Sequence, residues 1–387
     1  MLKRLTNSEK IKSKQVLLLP ILIIKNIVLY LLKRLSKYKE KLNKKKKTTI
    51  KDIANVLNIS AAAVSKALHN DSRISEKTKK AVRQVAENLN YQPNHLASAL
   101  RSGKSNLVGV IVPRTNSNFF SSVIQNIEEV LNAKGYNIII TQSNESYKKE
   151  CDSIDTLLFT QVDGIIASMA NETVDLQYYE KIKSKGIPLI LFDRGENDLN
   201  VDYIGIDDYN SSHLIVEHLL EQGCKRIAHI GGYKRTRIYN NRIRGYIDAL
   251  KKHNLPLDDE LLIETNLSIE NGREKMQQLL NLKNRPDAVY VAGDYAALGA
   301  LQVLNEKNIK IPNEIALVGF GNEPFTDMVT PSITSVNQHS AEIGKLAANT
   351  FLNYKNKEPI TQKLNKQILD AELIVRDSSD KKTSLKK

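Results

Sequence analysis

The chain has 387 residues, of which 41% are hydrophobic, so it is long enough for two or three domains with cores of their own. Residues 1–47 contain fifteen Lys or Arg and two Glu, residues 48–104 contain nine Lys or Arg and four acidic residues, and residues 105–387 carry a net charge of −4. A polyanionic partner is therefore expected at the N-terminal end. The two cysteines, Cys151 and Cys224, have no metal-binding spacing and are expected to be reduced thiols.

Residues 1–47 form an extension that is apolar in its middle and basic at its end. Residues 16–32 are apolar apart from Lys25 and Asn26, and they only reach the lower limit for a membrane-spanning helix. A central Lys costs about 2.5–3.5 kcal/mol on insertion. We therefore expect a cytoplasmic protein with a disordered basic arm or an incorrectly chosen start. A membrane anchor is the less favoured alternative.

Two short helices are predicted next. Thr49 followed by Asp52 has the form of a capping box, and apolar residues then recur at helical spacing. Asn58 can adopt the left-handed conformation that ends a helix, and Ser60 can cap a second helix over residues 61–69. Two helices joined by about three residues indicate a helix-turn-helix.

A third helix is predicted from Ser75 to a stop at residues 91–93, so that residues 48–92 form a three-helix head. Its motifs closely resemble those of the LacI/GalR family of bacterial repressors, and the resemblance continues to Arg376. The motifs are TIKDIA, VSKAL, RISEKT, LNYQPN and LASALRSGKS. The resemblance implies a DNA-binding head, a hinge over residues 93–106 that forms a helix on DNA, and a body over residues 107–377.

The resemblance also implies which residues contact DNA. They are Thr49, Ser60, Ala61, Ala62, Ser65 and Lys66 in the head, and Asn94, Ala97 and Leu100 in the hinge. Alanine can only pack against a thymine methyl group, whereas a Lys can reach either a guanine edge or a phosphate. The resemblance implies that Leu100 wedges into the central minor-groove step, although the hinge could instead be a short helix that caps the body.

The body alternates predicted strands and helices, which indicates an α/β fold with parallel sheets. The strands are LVGVIV, YNIIIT, DGIIAS, PLILFD, RIAHIGG, AVYVAG and IALVGF. The resemblance implies two doubly wound subdomains of the periplasmic-binding-protein type, with crossings expected near Gly205, Phe320 and Val336. Residues 378–387 are expected to be a polar tail without the apolar heptads of a tetramer-forming coiled coil, so we expect a homodimer.

A small-molecule effector is expected where the strands end, between the subdomains. The positions implied by the resemblance are Phe119, Phe120, Asp193, Arg242 and Asp294. Carboxylates and a guanidinium suit a polyhydroxyl ligand, so a sugar or sugar derivative is expected. Three basic residues after RIAHIGG, namely Lys234, Arg235 and Arg237, slightly favour an acidic sugar. Each of these groups could instead be a structural cap, an ion pair or a solvated cation.

An enzyme is not expected, because the chain has no dinucleotide fingerprint, no phosphate loop and no His or Cys spacing for a metal. We expect no cofactor. The resemblance implies a regulator, more specifically a repressor, of carbohydrate metabolism genes that binds a palindromic operator as a dimer. The alternatives are an anchored or exported solute-binding protein, against which the head argues, and a nucleoid-type DNA binder without effector control.

Overall fold

The computed structural model describes residues 48–91, 104–356, 364 and 366–384. These residues fall into two compact units, a head within residues 1–95 and a body within residues 96–387. The apolar segment 16–32 and the three predicted hinge contacts, Asn94, Ala97 and Leu100, lie outside the described residues.

The head contains the three predicted helices. They are α1 (Ile50–Leu57), α2 (Ala61–Leu68) and α3 (Glu76–Asn88). The Asp52 carboxylate accepts hydrogen bonds from the backbone N–H and the hydroxyl of Thr49, both at 2.7 Å. Asn58 ends α1 with φ 50°, and the Ser60 hydroxyl accepts from the N–H of Ala63 at 3.1 Å. The predicted caps of α1 and α2 are therefore confirmed.

The head core is small and shared by all three helices. Each helix contributes two of its fully or nearly fully buried side chains: Ile53, Ala54, Val64, Ala67, Val82 and Ala86. An isolated helix of eight residues is marginal in water, so the stability of α1 and α2 comes from this packing.

The body contains two parallel sheets. The larger has the order β11-β5-β4-β3-β1-β2, the smaller the order β7-β6-β8-β9, and an antiparallel pair joins β10 to β12. The strands are β1 (Leu107–Val112), β2 (Asn137–Gln142), β3 (Gly164–Ala167), β4 (Leu189–Phe192), β5 (Asp202–Ile206), β6 (Ile227–Gly231), β7 (Leu262–Glu264), β8 (Ala288–Val291), β9 (Ala316–Val318), β10 (Ser335–Asn337), β11 (Lys366–Leu369) and β12 (Glu372–Ile374).

Helices cover both faces of the larger sheet. Alternate residues of β1 accordingly pack into different cores, with Val110 on one side of the sheet and Ile111 on the other. The helices of the body are α4 (Asn118–Asn132), α5 (Tyr147–Phe159), α6 (Gln177–Ser184), α7 (Asp208–Glu221), α8 (Arg237–Lys252), α9 (Ile269–Leu280), α10 (Asp294–Glu306), α11 (Phe325–Met328), α12 (Ser340–Asn356) and α13 (Lys381–Ser384). This is the doubly wound α/β fold that was predicted.

The described chain changes sheet at three places. It leaves the larger sheet after Ile206, returns to it after Asn337, and leaves it again after Leu369, because β12 pairs with β10 rather than with the larger sheet. The crossing predicted near Phe320 is wrong. The Phe320 carbonyl accepts from the N–H of Asp294, and the next residue still belongs to the segment that runs beside the smaller sheet.

The predicted boundary of the body at residue 377 is also wrong. Ser378 and Ser379 are completely buried. The Ser378 hydroxyl donates to the Leu317 carbonyl at 2.6 Å, and the Ser379 hydroxyl lies 2.7 Å from Nε2 of His218. The sequence suggested a tail because two serines and a lysine run read as solvated, whereas these hydroxyls satisfy buried polar groups beside β9.

Two helices of the smaller subdomain touch backbone to backbone. A Cβ at Gly272 in α9 would overlap the backbone of Ala296 in α10, and a Cβ at Gly299 in α10 would overlap the backbone of Ile269 in α9. The pair of glycines therefore sets the distance between α9 and α10, since no side chain could separate the two backbones there.

We expect Gly272→Ala to lower the free energy of unfolding of the body by about 1–3 kcal/mol, because the added methyl group meets backbone that cannot move aside. Urea denaturation measures the effect. Gln278→Ala on the exposed side of α9 is the matched control and should change the stability by less than about 0.5 kcal/mol. Equal stability of the two variants would contradict the tight helix contact.

Candidate DNA-reading helix and ligand cleft

The second helix of the head presents a small polar surface. Ala62 and Lys66 are exposed, and Ala61 and Ser65 are half-buried, while Val64 between them is buried in the head core. These four residues lie on the side of α2 that is available for contact with another molecule. The structure thus leaves the predicted base-facing residues accessible, and their role in DNA contact stays a prediction.

Thr49 and Ser60 have a structural task as well as the predicted DNA contact. Both are exposed at helix N-termini, where Thr49 is bound to Asp52 and Ser60 caps α2. Backbone N–H groups at a helix N-terminus also attract phosphate oxygens. The two positions are therefore suited to contacts with a nucleic-acid backbone without the loss of either cap.

A cavity of about 360 Å³ lies between the two subdomains of the body. The ends of β4 and β8, the start of α4 and the start of α8 contribute to its wall. All five residues predicted to bind an effector line it: Phe119, Phe120, Asp193, Arg242 and Asp294. The structure brings them together because the carboxyl ends of parallel strands meet at one edge of a sheet.

Asp193 is the predicted carboxylate with the clearest access to the cavity. Its side chain is 11% exposed, and the nearest groups are the Ser168 hydroxyl at 3.4 Å and the Arg194 guanidinium at 3.8 Å. Burial raises the pKa of Asp193 above its ordinary value. The residue has φ 57°, in the left-handed region, and Tyr203 donates to its carbonyl at 2.6 Å. Such local strain is common at binding sites.

Arg242 is held on all sides rather than directed as a free fork into the cavity. It is 4% exposed, and its nitrogens donate to the Asp208 carboxylate at 2.8 Å, the Ala292 carbonyl at 3.0 Å and the Gln338 side chain at 3.3 Å. Its guanidinium carbon lies 3.5 Å from the centre of the Phe320 ring. Burial raises the pKa of Asp208 to about 6, although Arg242 opposes the shift.

Asp294 is part of the cavity wall, but its carboxylate is already engaged. Asp294 is 2% exposed. Its carboxylate accepts hydrogen bonds from the Ser335 hydroxyl at 2.8 Å and from the N–H of Glu323 at 2.8 Å. Burial raises the pKa of Asp294 to about 6. This geometry makes Asp294 a support for the loop at 319–324 more than a ligand for a bound molecule.

An ion cluster on the cavity wall was not predicted from the sequence. The Arg194 guanidinium donates to Glu145 at 2.7 Å, Arg114 lies 3.6 Å from the same carboxylate, and Tyr239 lies 3.4 Å from Arg194. Arg194 directly follows Asp193 at the end of β4, so its position after a buried strand was the signal that could have indicated it.

The three loop cations that favoured an acidic ligand do not line this cavity. Lys234 lies 3.6 Å from Glu264, Arg235 donates to the Asn171 carbonyl at 3.1 Å, and the Arg237 guanidinium stacks over the Tyr203 ring. The preference for an acidic sugar was therefore based on residues that have other partners.

Neither a membrane span nor a metal cluster was identified within the described residues. No helix among them is long and apolar enough to cross a membrane, and no group of three or more His, Cys, Asp or Glu side chains is arranged to hold a metal ion. The apolar segment 16–32 lies outside these residues.

Two family models match the chain. Residues 49–94 match the bacterial regulatory proteins of the lacI family, and residues 216–379 match a periplasmic binding protein-like domain. The first match covers the capped helices of the head, and the second covers most of the smaller subdomain and the returning segments.

Curated relatives match over nearly their whole length. The chain is 32% identical to the HTH-type transcriptional regulator DegA of Bacillus subtilis (strain 168), over 86% of this chain and 98% of that protein. It is 31% identical to catabolite control protein A of Priestia megaterium, over 81% of this chain and 94% of that protein. Both relatives are named as regulators, not as enzymes.

A solved structure shows the same fold. The lac repressor dimer bound to operator and the anti-inducer ONPF superposes with a TM-score of 0.76 at 22% identity, over 86% of this chain and 99% of that chain. The capped helix-turn-helix, the two doubly wound subdomains and the identity to full-length regulators agree. The chain belongs to the lacI family of bacterial regulatory proteins and is a DNA-binding transcriptional regulator.

Proposed function

We propose that this regulator binds a palindromic operator as a homodimer and that a sugar or sugar derivative in the cavity changes its affinity for the operator. The observation that carries the proposal is that one chain combines an exposed, capped recognition helix with a cavity of about 360 Å³ between two subdomains. A solute-binding protein would use the cavity alone, so the head favours the regulator.

The recognition helix suits a short operator with thymine at defined positions. Ala61 and Ala62 offer only methyl groups, which pack against thymine methyls in the major groove, and Lys66 supplies the charged contact. Ser65 is half-buried between them and can reach a backbone oxygen. Asn94, Ala97 and Leu100 would add the hinge contacts that the family resemblance implies.

The charges of the cavity favour a polyhydroxyl ligand without a net negative charge. Its wall contains three arginines and five carboxylates: Arg114, Arg194, Arg242, Glu145, Asp193, Glu270, Asp294 and Glu323. Arg114 and Arg194 are paired with Glu145, and Arg242 is paired with Asp208. A ligand therefore meets an excess of acceptors, which sugar hydroxyls can satisfy as donors.

The target genes we propose are those of carbohydrate metabolism, with repression as the mode of control and the cytoplasm as the compartment. The name of one relative, catabolite control protein A, refers to the control of catabolism. The effector that binds in the cavity would then control the genes for its own uptake and breakdown.

Lys66→Ala should weaken operator binding, because it removes the exposed cation of the recognition helix. If Lys66 contacts a phosphate, its loss should lower the slope of log affinity against log salt concentration by about one. If it contacts a base, its loss should lower the free-energy difference between the correct and the wrong base by about 1–3 kcal/mol. Fluorescence anisotropy with a selected palindrome and scrambled DNA, at several salt concentrations, separates these cases. Lys80→Ala on α3 removes an equal charge and is the control; the same loss in both variants would exclude a local role for Lys66.

Asp193→Asn should reduce the affinity for the effector about tenfold or more while operator binding without ligand stays unchanged. The reason is that a charge-assisted hydrogen bond contributes roughly 1.5–3 kcal/mol. Neutral sugars, sugar acids and sugar phosphates are titrated against operator-bound protein. Asp198→Asn, in the exposed turn after β4, is the matched control. A response only to a purine or an amino acid would rule out the sugar.

The purified protein should have the mass of two chains in light scattering. A two-fold operator needs two heads, and each chain has one. A mass of four chains at working concentration is the result that would contradict the dimer.

A further inference from the structure

Helix α4 begins at the cavity without a cap of its own. Its N-cap residue, Ser117, makes no hydrogen bond to the N–H groups of the first turn, and the first turn contains no acidic residue. A helix of fifteen residues has a substantial dipole, with unpaired N–H groups and partial positive charge at this end. The helix therefore needs an acceptor from elsewhere in the chain.

Glu323 supplies that acceptor from the other subdomain. One oxygen of its carboxylate accepts from the Ser117 hydroxyl at 3.1 Å, and the other accepts from the N–H of Asn118 at 3.2 Å. The two residues are separated from Glu323 by more than two hundred positions in the sequence. The contact joins the two subdomains at the wall of the cavity, since Ser117 and Glu323 both line it.

Glu323 is fixed in this place and is not a solvated side chain. It is 6% exposed. Its N–H donates to the Asp294 carboxylate at 2.8 Å, and its carbonyl accepts from the Thr326 hydroxyl at 2.7 Å. Beside it, the Tyr295 hydroxyl donates to the Asn116 carbonyl at 3.3 Å, so the same edge of the cavity is joined twice.

The position of this carboxylate determines what else can bind there. The start of a helix is where the phosphate or carboxylate of a ligand would find N–H donors. Two negative charges at such short range repel one another strongly at the effective dielectric of a protein surface. While Glu323 occupies the start of α4, an anionic group of a ligand loses its donors and meets a like charge.

We propose that Glu323 is a specificity-determining residue of the cavity: its carboxylate takes the place of an anionic ligand group at the start of α4 and restricts the cavity to ligands that are uncharged at that end. The inference rests on the proposed function, because it assigns a preference to the cavity in which the effector binds. It deepens that function by selecting neutral sugars over sugar acids and sugar phosphates.

The test uses sulfate as the probe and the full-length protein. Wild type, Glu323→Ala and Glu323→Gln are titrated with sodium sulfate against chloride at constant ionic strength by calorimetry. Glu323→Ala should bind sulfate about tenfold or more tightly than wild type, because it removes the like charge and frees the donors. Glu323→Gln should bind sulfate less tightly than Glu323→Ala, since its amide still fills the space although the like charge is gone. A crystal structure of Glu323→Ala should show sulfate at Ser117 and Asn118.

Two controls keep the result interpretable. Glu274→Ala removes an equal charge from the exposed side of α9 and should leave sulfate binding unchanged. Thermal unfolding shows whether Glu323→Ala is folded, and Glu323→Ser provides a second variant that also frees the N–H groups. Sulfate binding that is equal in wild type and in a folded Ala or Ser variant, or absent from both variants, would overturn the proposal.

The experiment is independent of the test of the proposed function, because it requires neither operator DNA nor the effector. A protein that responded to no sugar would contradict the proposed function and leave the sulfate result intact. Conversely, a response to a neutral sugar together with failure of the sulfate test would remove only the role of Glu323.

Discussion

The buried guanidinium of Arg242 holds together the segments through which the chain passes from one subdomain to the other. It binds Asp208, the first residue after the first passage, and Gln338, which lies at the second. It also binds the carbonyl that follows β8. Removal of one partner from a buried ion pair lowers the stability of a protein by about 3–5 kcal/mol, because the other charge is left buried without a partner. The walls of the cavity and the arrangement of the two sheets therefore depend on one side chain. Its high burial indicates that its first task is structural, even though it touches the cavity.

The sequence predicted the local elements well and their long-range partners poorly. Caps such as that of Ser60 depend on residues three positions apart, so their geometry follows from spacing alone. Seven strands, β1 to β4, β6, β8 and β9, were predicted because they are apolar runs. Strand β5 was missed although it lies inside the larger sheet, because an aspartate and a glycine interrupt its short run DYIGI. The antiparallel pair β10-β12 was not, since each strand has three residues and its partner is distant in the chain. For the site, the five cavity residues came from family resemblance, whereas Glu323 and the Arg194 cluster were missed because both depend on contacts between segments far apart in sequence.

Most charged groups of the cavity wall already have ion-pair or hydrogen-bond partners before a ligand arrives. Arg194 and Arg114 share Glu145, Asp294 holds Ser335 and the backbone of Glu323, and Glu323 in turn caps α4. Such pre-organised networks cost little further reorganisation on binding. The groups that remain to recognise a ligand are few, with Asp193 and the side chains of Phe119 and Phe120 foremost. Selectivity is then set more by what the wall excludes than by the number of contacts it offers.

The backbone contact between α9 and α10 has a consequence for motion. Because Gly272 and Gly299 let two helices meet without intervening side chains, the smaller subdomain has little freedom to deform internally. We expect the smaller subdomain to move as a rigid body when the cavity opens or closes, with the change in backbone angles in the three short passages between the sheets. Two of those passages adjoin partners of Arg242, namely Asp208 and Gln338. The side chain that stabilises the body thus lies beside the segments whose backbone angles would change.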